Sequence, residues 1–180
     1  PIGGKRGDYL VDLIATEGEK FVRDNEDDPF FLMMSHYAVH TPLQGKPEKI
    51  AYYETIPENK RQGDPHYAAM VESVDDSVGR IMNAVRDIGA EENTMFIFTS
   101  DNGGHWKATR NAPLRANKGS NYEGGLRVPV IIGWPGAAAP GSISGELVTS
   151  SDFYPTILAA TGLPLNPDQH MDGVYLTPVL

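Results

Sequence analysis

Apolar positions along the chain follow two rhythms. Leu10, Leu13, Ile14, Phe21 and Val22 recur at the spacing of one helix face, with Asp8 available as the cap and Asp24–Asp28 and Pro29 as the stop. Tyr67, Met70, Val71, Val74, Val78, Ile81, Met82, Val85 and Ile88 hold the 3.6-residue period for longer. Here the punctuation is complete: Asp64 caps, Pro65 suits the first turn and Gly89 ends the helix. A last helix starts at Ser151 or Asp152 and runs through Ala160, stopped by Gly162 and Pro164. The second rhythm is the short apolar run. Phe30–Ser35, Thr94–Thr99 and Val128–Ile132 are too brief for helices and read as buried strands. Pro129 cannot donate to a ladder, which makes the third run an edge or makes Pro129 its first residue. Residues 41–65, rich in Pro, Gly, Lys and Glu, read as a long excursion, and 101–125 as glycine-rich loop. Strands alternating with helices predict an α/β layer fold with a largely parallel sheet.

Composition narrows what such a fold does. The 180 residues suit one globular domain or part of a larger one. With 40% apolar and 22% charged residues the chain can build a core, and the composition argues against disorder. The absence of cysteine excludes disulfides, zinc–thiolate sites and a cysteine nucleophile. No apolar run approaches the ~20 residues of a membrane span. A net charge of −9, from 15 basic and 24 acidic side chains, argues against a general nucleic-acid binder. The charge is unevenly spread. Beyond residue 90 every basic side chain (Lys107, Arg110, Arg115, Lys118, Arg127) falls within 107–127, where Glu123 is the only acid. One cationic loop on an acidic protein is either solvated surface or aimed at an anion. The opening Pro-Ile-Gly-Gly-Lys-Arg is neither an initiator Met nor a signal peptide, so the chain reads as starting mid-protein.

In open α/β sheets, ligands sit beyond the carboxyl ends of the strands. Two predicted strands run into polar clusters there: Ser35-His36-Tyr37-Ala38-Val39-His40-Thr41-Pro42 and Ser100-Asp101-Asn102-Gly103-Gly104-His105. Asp101 and Asn102 offer hard oxygen donors suited to Ca²⁺ or Mg²⁺, although Asp-Asn-Gly-Gly is equally good turn chemistry and two ligands fall short of a full set. His40 sits where it could protonate a leaving group, with His36 as partner or mere strand-end residue. Lys118, beside Gly119, can meet an anion together with backbone N–H groups; Arg115 and Arg127 are weaker alternatives that also suit ion pairs. Asp75 and Asp76 are helix neighbours that do not share a face. Tyr52, Tyr53, Trp106 and Trp134 read as packing groups.

These pieces, in this order, resemble the sulfatase family. The segments are Pro29–Gln44 (PFFLMMSHYAVHTPLQ), Tyr67–Val85 (YAAMVESVDDSVGRIMNAV), Asn93–Gly104 (NTMFIFTSDNGG) and Ala112–Pro129 (APLRANKGSNYEGGLRVP), joined by Trp134-Pro135-Gly136, Ser151–Thr156 and Asp172-Gly173-Val174. The resemblance implies an alkaline-phosphatase-like α/β/α sandwich with a largely parallel, mixed sheet. It implies hydrolysis of sulfate esters with a formylglycine nucleophile and a bound Ca²⁺, Mg²⁺ being the alternative. By position, Asp101 and Asn102 match metal ligands, Lys118 the lysine on the sulfate, and His40 the histidine beside the ester oxygen.

The family's Cys/Ser-x-Pro-Ser-Arg motif, its N-terminal paired aspartates and a lysine–histidine pair are absent. Residues 1–180 are therefore expected to be a partial catalytic domain, lacking the nucleophile-bearing part and the C-terminal subdomain, and inactive alone. The expected partner is a small sulfate ester, of a sugar or an aryl group, together with the rest of the domain. Loops 41–65 and 105–111 should line the pocket mouth. The resemblance alone suggests export to the periplasm or beyond. The alternatives are a phosphoesterase or phosphonate-ester hydrolase of the same superfamily, or a non-catalytic module that binds anions or sulfated glycans.

Overall fold

The computed structural model describes residues 3–168 and 172–180; Pro1 and Ile2, part of the unusual opening segment, lie outside them. The chain divides into two units, Pro1–Glu92 with Asp101–Val128, and Asn93–Ser100 with Pro129–Leu180.

In the first unit the longest periodic run forms α3 (Pro65–Asp87) with the predicted ends. The Asp64 carboxylate accepts from the His66 N–H at 2.7 Å, and Gly89 stops the helix at φ +72°. Helix α1 (Leu10–Asp24) packs against it through a buried stripe that shares Val22 with the expected face and otherwise differs from it. Val11, Ala15, Gly18 and Val22 are buried, whereas Leu10 is 46% exposed. The reason is close approach. A Cβ at Gly18 would lie 2.7 Å from Ile81 Cδ1 and 2.8 Å from Met34 Sδ, so the small residues set the contact and the larger ones flank it. Phe21 instead meets Phe30 edge to face at 6.0 Å. On α3 the buried row runs through Ser73 and Ser77 rather than Val74 and Val78. Ser73 Oγ donates to the Ala69 carbonyl at 2.8 Å, which removes most of the penalty of burying a hydroxyl.

The excursion 41–65 is not structureless. It contains α2 (Pro47–Glu54), which has no fully buried residue and packs on α3. Its anchor is tertiary: Lys49 reaches Glu72 at 3.0 Å and also pairs with Asp76, while Asp75 stays exposed. Isolated helices this short are marginal, so local sequence carried little sign of it. Residues 30–35, expected to be a buried strand, form no ladder among the described residues. Their burial alternates as a strand's would: Phe30, Leu32 and Met34 are partly covered, while Phe31 and Met33 are 68% and 74% exposed.

In the second unit β1 (Phe96–Thr99) pairs with β2 (Val130–Gly133), from Phe96 opposite Gly133 to Thr99 opposite Val130. This ladder is antiparallel, a pairing that a largely parallel but mixed sheet admits. Pro129, with no N–H to give, stands just before β2, and its carbonyl accepts from Thr99 Oγ1 at 3.1 Å. Helix α5 (Phe153–Ala160) follows a 3₁₀ turn over Ser150–Asp152. Its entry is a capping box begun by Thr149, ahead of the Ser151 or Asp152 expected. Asp152, 5% exposed, accepts from the Thr149 N–H (2.7 Å), the Thr149 hydroxyl (3.2 Å) and the Val174 N–H (2.9 Å). The buried Thr156 hydroxyl donates to the Asp152 carbonyl and accepts from the Leu176 N–H at 2.9 Å. Residues 172–176 are thereby strapped to the start of α5. Burial alone would raise the Asp152 pKa; the backbone and side-chain hydrogen bonds outweigh it and hold the carboxyl below its usual value. Among the described residues no helix is long and apolar enough to cross a membrane.

Candidate functional site

Glycines let the loops of 101–128 stack backbone on backbone. The Gly103 N–H donates to the Gly125 carbonyl at 2.9 Å, and the Gly124 N–H to the Arg115 carbonyl at 2.8 Å. A Cβ at Gly103 would collide with the Gly124 carbonyl oxygen, one at Gly124 with the Ala116 oxygen, and one at Gly125 with the Ser120 oxygen. Gly124 and Gly125 lie in the one-turn α4 (Glu123–Leu126) and are buried. Only residues without a side chain permit this approach.

The packing joins two of the sequence-predicted positions. The Lys118 N–H donates to the Gly104 carbonyl at 3.1 Å, so the Lys118 loop lies against the Asp101–Gly104 turn. Asp101 is exposed, and Asn102 is partly buried with its amide donating to the Gly103 carbonyl at 3.2 Å. The Lys118 ammonium has no hydrogen-bond or ion-pair partner among the described residues. The weaker cationic candidates are engaged elsewhere: Arg127 pairs with Glu123 at 3.5 Å, and the Arg115 guanidinium lies 3.7 Å from the Tyr122 ring centroid.

One organiser escaped the sequence reading. The Asn111 amide oxygen accepts from the Gly104 N–H at 3.1 Å, and its nitrogen donates to the Gly104 carbonyl at 2.9 Å and to Asn117 Oδ1 at 2.8 Å. A single side chain thus closes the loop 104–111 and fastens it to the Lys118 loop. An Asn in a glycine-rich stretch was the only available signal.

His40 stands on its own turn. Its N–H donates to the Tyr37 carbonyl at 2.9 Å, and its ring lies 5.4 Å from that of Tyr37. Nδ1 lies 2.9 Å from the Thr41 carbonyl, which only accepts, so Nδ1 carries a hydrogen and Nε2 is the atom left for chemistry. Among the described residues the polar and ring contacts of His40 are all local, and none reaches the 101–128 loops. His36 is set differently. Its Nε2 meets Ser77 Oγ at 3.2 Å, its Nδ1 is buried without a partner among the described residues, and burial lowers its pKa, favouring the neutral ring.

Asp101 and Asn102 are the right donor types for Ca²⁺, but among the described residues no group of three or more His, Cys, Asp or Glu gathers to hold a metal. Six to eight oxygens are needed, so these two supply part of a shell. The groove beside α2, lined by Glu48, Lys49, Tyr52, Tyr53 and Glu72, carries carboxylates that repel an anion. Trp106 and Tyr52, expected to be packing groups, are exposed, Trp106 to 63%.

The chain matches the family model described as Sulfatase over residues 2–163. It is 38% identical over 190 residues to a protein named Sulfatase from Formosa agariphila, an alignment covering 96% of this chain and 34% of that protein. It is 37% identical over 159 residues to arylsulfatase A of Homo sapiens, covering 86% and 29%. The crystal structure of Ps i-CgsB in complex with k-i-k-neocarrahexaose superposes with a TM-score of 0.88 at 38% identity, covering 97% of this chain and 39% of that one. The chain spans about a third of the length of the curated relatives it matches.

Proposed function

The chain belongs to the sulfatase family, and on that premise we propose that it forms part of a catalytic domain that hydrolyses sulfate esters of saccharides. The nucleophile-bearing part and a further subdomain would complete it. In that domain Phe30–Ser35 would be a strand of a mixed, largely parallel sheet, with its partners supplied by the remainder. The observation that supports the reading is the bond from the Lys118 N–H to the Gly104 carbonyl, which brings the Lys118 backbone against the Asp101–Gly104 turn, with the ammonium left without a partner among the described residues. The saccharide class is supported by the likeness to Ps i-CgsB, whose structure holds k-i-k-neocarrahexaose.

Each residue then has a role. Lys118 faces a sulfate oxygen and opposes the negative charge that shifts as the S–O bond breaks. Asp101 and Asn102 contribute two oxygen donors to a divalent cation, which when bound polarises the sulfate oxygens. His40 keeps its Nδ1 hydrogen on the Thr41 carbonyl and, when protonated, delivers the Nε2 proton to the leaving oxygen. The nucleophile is outside this chain, which has neither a Cys nor a Ser in the required motif. The 180 residues alone should give no turnover of an aryl sulfate with added Ca²⁺ beyond that of a His40→Ala control. In the intact protein Lys118→Ala should lower kcat/KM by roughly 10²–10³-fold, the scale of losing one preorganised charge contact. Turnover by the 180 residues well above the control, or an active Lys118→Ala enzyme, contradicts the assignment.

A further inference from the structure

Trp106 is the feature the proposed chemistry leaves unused. Its loop is fixed at the base: Asn111 closes it onto Gly104, the Asp64 N–H donates to the Ala108 carbonyl at 2.8 Å, and Gln62 Nε2 donates to the Arg110 carbonyl at 3.1 Å. Ala108 is buried, and a Cβ at the facing Gly63 would collide with its carbonyl oxygen. A loop held this firmly nevertheless turns its largest apolar side chain to solvent. Around the ring, Lys107 Nζ lies 5.0 Å from the centroid and the His105 ring 6.1 Å away. Neither Lys107 nor Arg110 has a carboxylate partner among the described residues. An exposed indole with the Lys107 ammonium over its ring and no carboxylate neutralising Lys107 or Arg110, on the loop hydrogen-bonded to the Lys118 segment, suits a ligand that is both a sugar and an anion.

We propose that Trp106 and Lys107 form a subsite for a second sugar ring of a sulfated oligosaccharide, adjoining the ring whose ester is cleaved. The polarised C–H face of the ring stacks on the electron-rich indole face, and the Lys107 ammonium meets an anionic substituent. A monocyclic aryl sulfate ends before this subsite and does not engage it. The inference rests on the sulfatase reading above and adds the oligosaccharide as the form of substrate the site selects.

The test is steady-state kinetics of the intact protein on k-i-k-neocarrahexaose and on p-nitrophenyl sulfate. Trp106→Ala should raise KM for the hexasaccharide about tenfold, the effect of losing one good contact, with kcat within about threefold. The aryl sulfate kinetics should not change, and Trp106→Phe should restore most of the hexasaccharide KM. Lys107→Ala should give a smaller KM rise that fades at high salt. Unchanged hexasaccharide kinetics in Trp106→Ala overturn the subsite, while loss of activity in Lys118→Ala leaves the sulfatase reading standing. An equal loss on both substrates that Trp106→Phe does not repair means a structural role and overturns the subsite too. If the wild type hydrolyses neither substrate, both readings fall together; if it hydrolyses only the aryl ester, the subsite alone falls.

Discussion

Asn111 in the first unit and Asp152 in the second each fasten together stretches of backbone, with opposite chemistry. Asn111 is neutral and both donates and accepts, gripping Gly104 on both sides and reaching Asn117. Asp152 is an acceptor only, buried, and fed by Thr149 and Val174. The surroundings explain the choice. Among the described residues, Asn111 works beside cations that no carboxylate pairs, where a carboxylate would weaken the field that Lys118 is proposed to present to an anion. The second unit contains no Lys or Arg at all, so a buried carboxylate there costs no cationic site and finds its stabilisation in N–H groups. The lesson is that the contacts fastening Gly104 to the Lys118 loop come from groups without net charge.

The comparison breaks most severely at Gly103. Gly103→Ala forces a methyl into the Gly124 carbonyl, and backbone cannot yield as a side chain can. A stability loss of about 3 kcal/mol or more, read from the urea midpoint, is expected, together with loss of turnover in the intact protein. Next is Asp152→Ala, which leaves the Thr149 and Val174 N–H groups without their charged acceptor and should cost about 2–3 kcal/mol with Lys118-dependent activity retained per folded molecule.

Titration sharpens the contrast. The folded Asp152 pKa lies below the ordinary carboxylate value, so its stabilisation is complete above the unfolded pKa of about 4. It is lost as pH falls through the folded value. The stability gap between wild type and Asp152→Asn should therefore close as urea melts are moved from pH 7 to pH 3. The gap for Asn111→Ala should not. The smallest effect belongs to Asn111→Asp, which keeps the acceptor for the Gly104 N–H but gives up the two amide donors. It should cost about 1 kcal/mol in the urea midpoint, yet raise KM several-fold by placing a negative charge near Lys118.

What was legible in the sequence depended on whether the signal was local. Asp64, Pro65 and Gly89 mark the ends of α3 because capping and positive φ are decided within a few residues. The short α2 was missed because its support, Lys49 on Glu72 and Asp76, comes from α3. The stripe of α1 was misplaced because periodicity weighs large apolar residues, whereas Gly18 and Ala15 determine how closely helices approach. Phe30–Ser35 carries a strand's alternation but no ladder, since pairing depends on distant chain. The family pattern singled out Asp101, Asn102, Lys118 and His40, and the Lys118 N–H on the Gly104 carbonyl brings the Lys118 loop against the turn that carries the first two. Asn111 and the exposure of Trp106 were invisible because both are properties of how loops close.

That closure has a consequence for how such a protein diversifies. With the loop base locked by Asn111, the returning limb stitched to residues 62–64 and the His105 carbonyl holding the Ala108 and Thr109 N–H groups, Trp106 and Lys107 form an exchangeable tip. Swapping these two residues should change closure entropy only slightly and leave the bond from the Lys118 N–H to Gly104 in place. On the proposed reading, mutation at the tip can explore new recognition while the loop base keeps its bonds, which makes this short stretch the natural place to graft residues that would retune the choice of glycan.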